Sequence, residues 1–519
     1  MTDRNILGWF IWYLILLSGI QFTFAQTEWN EQVREECTIG VASGRATSDG
    51  RPLLWKTRDN SSAPNNEVYY NTSSRYKFIS VITAGGTSAW MGVNEKGFAI
   101  LNSLSSDLPG GSSGLDNGSL MRYALGICVT VADFEHLLDN TNVTGRYTRA
   151  NFGVIDTTGE AAIFETSGNQ YWKFDANNNI QAPNGYLLRT NFAINGGGNS
   201  GIERYKRTSS LIADFYAGDS LNYQSIIRFQ MRDFSDSNSN PVSVPFPYQW
   251  QSDRPFGYIY CYLSICRSTS VSAAVIQGVL QAESAKLSTM WTILGQPASA
   301  IAVPYWPVGN TPSEADGNST APLCDIAKQI KSHLFDYDEN SHYIDSYKLR
   351  DGNGNGLWAR IFPVEDSILT ATEHMLNQWR TNTPAVKDML TVESELARYA
   401  LSSLQKAYDE LVTVVAGDIP EITPSLFMLD QNYPNPFNLS TTIQFLLTRS
   451  CFVTLQVFNI SGEEVTTLIS QEITAGKYVL NWDALDLASG IYFYRLHARS
   501  IDSEQSVDFF ETKKLTLIK

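Results

Sequence analysis

The sequence predicts an α+β domain followed by a small all-β sandwich, on three observations. Short alternating segments come in batches with amphipathic helical stretches grouped between them, the order of layered α+β folds. No GxxxxGK[ST] follows a strand, which argues against a phosphate-binding P-loop on a parallel sheet. After Leu411 the composition shifts to a proline-containing stretch and then to short strands with turn signals about every 8–12 residues.

Residues 1–25, MTDRNILGWFIWYLILLSGIQFTFA, carry Arg4, an apolar run from Ile6 to Ile20 and a small-residue site at Thr23-Phe24-Ala25. This is the pattern of a secretory signal cleaved after Ala25. The run is shorter than the ~20 residues of a comfortable span, and no later segment is apolar enough to cross, so no stable membrane span is expected after signal removal. Residues 26–36, QTEWNEQVREE, are polar and acidic, lack an apolar period and read as a pro-segment.

From Cys37 the pattern becomes strand-like: CTIGVAS (37–43), an Asp49-Gly50 turn and PLLWKTRD (52–59), together a hairpin. Further strands are expected at 77–84, 88–94, 97–103, 151–156, 161–166, 170–175 and 185–191. Helical periodicity covers 119–129, 131–140, 203–217, about 364–380 and 384–413. Two glycine-rich stretches, 104–118 and 195–201, are loops over a pocket or surface connections. The expected organisation is a 37–412 domain, a linker over 413–428 and a β-sandwich over 429–519.

A net charge of −15 without any basic run excludes nucleic acid as a partner and leaves small molecules. The five histidines form no HExxH and none sits at ligand spacing from a CxxC, so no metal and no cofactor is expected. The six cysteines are scattered; Cys261 and Cys266 are candidates to pair with each other or with Cys324.

Cys37 is the residue that carries chemistry. A cysteine exposed as the first residue of a mature chain holds its thiol and a base, its own α-amine, on one residue. Such a unit needs an oxyanion pocket, a carboxylate to orient the amine and a cation to favour the thiolate. Pairing of the two hairpin strands brings Lys56, Arg58 and Asp59 beside Cys37. Taken singly, Asp59 is a strand-end charge, Asn102 and Asn191 are turn formers and Arg204 is a helix residue paired with Glu203.

Cys37-Thr38 with its strand, the Asp49-Gly50 turn, KTRDN, GVNEKGFAILNS (92–103), LLRTNF (187–192) and ERYKR (203–207) occur in order. Together they resemble N-terminal-nucleophile (Ntn) cysteine hydrolases of the choloylglycine hydrolase and penicillin acyltransferase (C45-like) kind, with C69 dipeptidases as more distant relatives. The resemblance covers about 37–305 and implies a four-layer αββα sandwich. It also implies Cys37 as nucleophile and base, Asp59 as the carboxylate holding the Cys37 amine, Asn102 as oxyanion donor, Asn191 as a polar contact to the nucleophile and Arg204 as a supporting cation. The family usually carries arginine three positions before the aspartate; here Lys56 stands there and Arg58 adjoins Asp59, so either is the supporting cation.

The module from 429 on contains NYPNPFNLSTTI (432–443), an Asn459-Ile460-Ser461-Gly462 turn, Ala475-Gly476-Lys477-Tyr478, Trp482-Asp483, SGIYFYRL (489–496) and a terminal KKLTLIK. It resembles the type IX secretion sorting domain, an Ig-like β-sandwich. This implies passage through the periplasm by the type IX machinery to a secreted or cell-surface location.

The function implied is a secreted hydrolase of linear amide C–N bonds, working through an acyl-thioester on an autocatalytically exposed Cys37 and acting on a small-molecule amide. The alternatives are an acyltransferase or dipeptidase of the same superfamily, or a catalytically silent surface-binding protein. Tyr69, Tyr70, Tyr76 and FPYQW (246–250) suggest a hydrophobic acyl group, or else belong to the core.

Overall fold

A computed structural model describes residues 36–235, 242–246, 256–317, 319–335 and 342–415, and in the C-terminal module 427–429, 431–432, 435, 437–447, 449–474, 476–485, 487–500 and 508–517. The expected signal and all of the pro-segment but Glu36 lie outside the described residues.

The described chain opens with β1 (Glu36–Ala42) and β2 (Leu53–Asp59), which pair antiparallel from Glu36↔Asp59 to Ala42↔Leu53. The expected hairpin therefore forms, but Asp49-Gly50 is not its two-residue turn; residues 43–52 make a longer loop. Next come β3 (Asn66–Asn71), β4 (Phe78–Thr83), β5 (Ala89–Asn94) and β6 (Ala99–Leu104), then helices α1 (Asn117–Ile127) and α2 (Val131–Thr144). The run continues with β7 (Ala150–Ile155), β8 (Ala161–Thr166), β9 (Tyr171–Asp175), β10 (Tyr186–Arg189) and α3 (Ile202–Ala217). After a short turn α4 (Tyr223–Ser225) the chain adds β11 (Tyr258–Tyr260), β12 (Ser270–Gln277), β13 (Thr289–Leu294), β14 (Val303–Tyr305), α5 (Pro322–Leu334), β15 (Tyr343–Asp345), α6 (Ser346–Leu349), α7 (Leu357–Thr381) and α8 (Val386–Val415).

Two antiparallel sheets result, one ordered β10-β1-β2-β12-β13-β14 and the other β3-β4-β5-β6-β7-β8-β9. They pack face to face. Gly153 on β7 shows how closely: a Cβ there would lie 2.8 Å from Leu54 and 2.9 Å from Val41 of the other sheet. The outer face of the seven-stranded sheet, through Phe98, Ile100, Phe152 and Phe164, is covered by Leu120, Met121, Leu125, Phe134 and Leu138 of α1 and α2. The core of the six-stranded sheet is continuous with Ile326 and Ile330 of α5, Ile361 and Ile368 of α7 and Leu404 of α8. With both faces covered, β1 and β2 are buried at every position but Glu36, as central strands of a layered sandwich must be. The layering is αββα.

The expected strands and helices are all present, but β3 and the β12–β14 half of the first sheet were not among them. Helix α8 also runs to Val415, into the expected linker, the rest of which lies outside the described residues apart from Phe427 and Met428. All six cysteines are free and buried, so the pairing expected of Cys261, Cys266 and Cys324 does not form. No helix among the described residues is long and apolar enough to cross a membrane.

The C-terminal module is a two-sheet β-sandwich. β16 (Met428–Leu429), β17 (Ser440–Leu447) and β20 (Gly476–Asp483) form one sheet, and β18 (Cys451–Phe458), β19 (Glu464–Ile473), β21 (Gly490–Ser500) and β22 (Asp508–Leu517) the other. Ile443 and Phe445 from the first meet Val453, Leu455, Tyr494, Leu496 and Leu515 from the second in a core of its own. The buried Asn432 is bound in, its N–H donating to Tyr494 Oη (2.7 Å) and its Nδ2 to Thr441 Oγ1 (2.9 Å).

Candidate active site

Cys37 is the second residue of β1, 3% exposed and flanked by β10 and β2. Side chains alternate along a strand, so Cys37, its cross-strand partner Arg58 and nearby Lys56 share the face turned to the second sheet, while Glu36 and Asp59 share the other. The peptide groups of Cys37 are held on both sides. Its N–H donates to Asn191 Oδ1 (2.9 Å), and its carbonyl accepts from Arg204 Nη1 (2.7 Å).

Asn191 follows β10, and its amide is oriented by three contacts. Oδ1 accepts from Cys37 and from Arg204 Nη2 (2.9 Å), while Nδ2 donates to the Leu104 carbonyl (2.9 Å). Arg204 sits in the first turn of α3 and is buried. Gly201, the N-cap, has φ of +75°, and a Cβ there would lie 2.6 Å from Arg204 Nη2; glycine is what lets the guanidinium lie against the chain. The neighbouring glycine-rich loop is tied down, because the Asp107 carboxylate accepts from the backbone N–H groups of Ala193 (3.0 Å) and Gly198 (2.9 Å). Glu165 adds N–H bonds from Ile194 (2.8 Å) and Asn195 (3.0 Å). The 195–201 stretch is thus a fastened connection.

Asp59, at the end of β2, faces Glu36 and accepts from Ser270 Oγ (2.6 Å). Arg204 and Arg267 each bring a guanidinium nitrogen near its Oδ2, at 3.9 and 3.8 Å. Burial pushes the Asp59 carboxyl above its ordinary range, against the opposing pull of both arginines and Ser270. Burial and the neighbouring Arg267 lower the Arg204 pKa, whereas Arg267 is raised because Asp59 and Glu36 outweigh its own desolvation. Arg204 Nη2 donates to Glu36 Oε2 (3.0 Å), and Arg267 Nη1 pairs with that same oxygen. It is Asn191 that bonds the Cys37 nitrogen, while Asp59 lies opposite the preceding residue.

The alternatives Lys56 and Arg58 separate cleanly. Lys56 Nζ donates to Asn102 Oδ1 (2.8 Å) and to the Trp90 carbonyl (3.1 Å), in the gap just past the last β5–β6 pair, Met91↔Leu101. This holds the Asn102 amide by its oxygen and leaves Nδ2 as the donor. Arg58 instead sends Nη1 to Asn66 Oδ1 (2.9 Å) and lies over the Trp90 ring, 4.5 Å from its centre.

Next to this gap is an open cavity of about 450 Å³, lined among others by Trp90, Leu104, Gly110, Gly111, Tyr147 and Arg149. Trp90 and Leu104 are the residues whose carbonyls hold Lys56 and Asn191, so the cavity adjoins the cluster, and the 104–118 loop forms part of its wall. Tyr69, Tyr70 and Tyr76 do not line it, and Tyr70 packs on the core. Of FPYQW only Phe246 is among the described residues.

Sequence reasoning missed Arg267, Ser270 and Lys331, whose Nζ donates to the Ser270 carbonyl (3.2 Å). Arg267 and Ser270 stand at the mouth of β12, a strand not recognised from its pattern; a polar RSTS run ahead of the apolar-rich VSAAVI was the available signal.

The acyl-coenzyme A:6-aminopenicillanic acid acyl-transferase family matches residues 45–249, a span that begins after Cys37 and takes in Lys56, Arg58, Asp59, Asn102, Asn191 and Arg204. The secretion system C-terminal sorting domain matches residues 431–507 and indicates a secreted or cell-surface protein. No curated protein matches the sequence. Among solved structures, a conjugated bile acid hydrolase from Clostridium perfringens is similar at a TM-score of 0.35 and 11% identity, covering 55% of this chain and 98% of its own. Penicillin V acylase from Agrobacterium tumefaciens is similar at 0.28 and 14% identity, over 52% and 85% of the two chains. An N-acylethanolamine-hydrolyzing acid amidase ortholog from Caenorhabditis elegans stands at 0.30 and 11%, over 46% and 92%. Residues 45–249 thus match the acyl-coenzyme A:6-aminopenicillanic acid acyl-transferase family and residues 431–507 the secretion system C-terminal sorting domain, and the first match with the αββα layering points to an Ntn-type amidase or acyl-transferase.

Proposed function

We propose that this chain is an exported amide hydrolase whose nucleophile is Cys37, exposed by self-cleavage of the Glu36–Cys37 bond. The observation that carries the reading is the clamp on Cys37: Asn191 on its nitrogen, Arg204 on its carbonyl and Asp59 with two arginines one residue pair away. These are the groups an N-terminal cysteine needs once its amine is free. Asp59 and Asn191 then orient the α-amine, which takes the thiol proton as Sγ attacks the substrate carbonyl. Asn102, aligned by Lys56, donates Nδ2 to the oxyanion. The leaving amine departs protonated by the same α-amine, and water, activated by it in turn, hydrolyses the thioester. The cavity lined by Trp90, Leu104 and Tyr147 takes one side of the amide.

The description of the matched family favours acyl transfer as a second reading. Export by the sorting domain favours hydrolysis, since water is the abundant acceptor outside the cell. Mass spectrometry of the purified chain tests the mechanism: the mature protein should begin at Cys37, and Cys37→Ala should stay uncut. Normal processing of Cys37→Ala would show that an external protease makes the cut. Turnover of N-acyl amides only when an amine acceptor is added would make the enzyme a transferase.

A further inference from the structure

We propose that Arg204 and Arg267 form an anion subsite, filled by the Glu36 carboxylate before cleavage, that afterwards selects acyl groups bearing a carboxylate at glutaryl spacing; this rests on the reading of Cys37 as the nucleophile. Both guanidinium groups converge on one oxygen, Glu36 Oε2. The arginine side chains are 2% and 3% exposed, whereas Glu36 is 22% exposed, so the buried arginines are the fixed wall and the carboxylate enters from the open side. Arg204 is locked by Cys37, Thr38 and Asn191, and Arg267 lies over the Tyr262 ring, 4.5 Å from its centre. Neither guanidinium is placed to swing out when Glu36 leaves.

The charge balance changes on cleavage. With Glu36 present, two guanidiniums face two carboxylates, Asp59 and Glu36. When the pro-segment goes, one positive charge is left without a counter-ion in a buried site, with the Lys331 ammonium adding to it from behind Ser270. Uncompensated buried charge is costly, and an arriving carboxylate relieves it.

The chemistry names the carboxylate. In self-cleavage Cys37 Sγ bonds to the Glu36 carbonyl carbon, the C–N bond breaks, and the freed amine takes the thiol proton. Glu36 is then carried on sulfur as a thioester until water attacks its carbonyl, the thiol re-forms and the pro-segment leaves with a new carboxylate. Glu36 is thus the first acyl group this site handles. A glutaryl group has the same chain from carbonyl to carboxylate as a glutamyl residue, so glutaryl and α-glutamyl amides are the substrates that refill the subsite.

The test compares glutaryl-p-nitroanilide with pentanoyl-p-nitroanilide on the processed enzyme, beside calorimetric titration with glutarate and with pentanoate. The expected result is kcat/KM about tenfold or more in favour of glutaryl, and binding of glutarate but not pentanoate. Arg267→Gln should bring the ratio toward one and abolish glutarate binding, while Arg267→Lys keeps part of both. Should Arg267→Gln fail to fold, Arg267→Lys and the wild-type comparison still decide. Equal or faster cleavage of the pentanoyl amide with no glutarate binding overturns the subsite and leaves the hydrolase intact. If neither anilide is cleaved, the hydrolase reading fails, and glutarate binding lost in the arginine variants still upholds the subsite.

Discussion

Glu36 and Asp59 stand directly opposite each other across the β1–β2 pair, two carboxylates held at the end of one sheet by the same two arginines. Like charges across a strand pair repel, and here Arg204 and Arg267 turn that repulsion into a four-membered cluster. The bond proposed to be cut, Glu36–Cys37, lies at its edge.

Replacing Glu36 by Gln should therefore slow self-cleavage by about tenfold, equivalent to ~1.4 kcal/mol of transition-state stabilisation, because the residue bearing the scissile carbonyl loses its anchor. The measurement is the time course of precursor disappearance on a denaturing gel. Since Glu36 departs with the pro-segment, the processed variant and wild type are one sequence, and a lasting difference in their specific activity would contradict the assignment of the cut to Glu36–Cys37.

Lys56 and Arg58 differ by what they touch. Lys56→Met frees the Asn102 amide to rotate and should lower kcat by about 10²-fold with a smaller change in KM, the usual cost of misplacing one oxyanion donor. Arg58→Gln loosens the contact with Asn66 and Trp90 and should show chiefly as a lower melting temperature. A larger kcat loss in Arg58→Gln than in Lys56→Met reverses the assignment.

Glu393 on α8 is 2% exposed and accepts a hydrogen bond from the Trp306 backbone N–H at 2.6 Å, and burial pushes its carboxyl up to about 8 from 4.5. Between those values the folded chain keeps a proton that the unfolded chain has released, so this group's contribution to stability is full below the lower value and is lost as pH rises toward the upper one. Glu393→Gln keeps the acceptor oxygen without the charge. It should be on the order of 4 kcal/mol more stable than wild type at pH 8.5 and little different at pH 5, measured by denaturant titration at both. A variant no more stable at the higher pH would show that Glu393 does not titrate there.

A chain ending at Val415 should fold and cleave itself, because the sandwich after 426 closes a core of its own strands. Cooperative melting of the truncated chain and a mature N-terminus at Cys37 are the readouts. Failure to recover any folded protein would show that the catalytic domain depends on the module.

The amino-acid sequence alone was enough for the class of the fold, and Cys37, Asp59, Asn102, Asn191 and Arg204 were singled out as candidates by motifs that resemble a known family. Those signals are local: alternation and helical period record which face of a segment is buried, and short motifs record which side chains stand at a strand end. Tertiary structure alone decided the rest. Strands β12–β14 are covered on both faces, so their apolar runs carry no alternation, and Arg267 and Ser270 at their entrance went unread with them. Asp49-Gly50 looked like a tight turn, but the hairpin closes ten residues wide because the register is set by β1, β2 and their neighbours. What Lys56 and Arg58 touch went unread for the same reason. Both share a face of β2, and only the second sheet packing against that face puts Asn102 within reach of Lys56 and Asn66 within reach of Arg58.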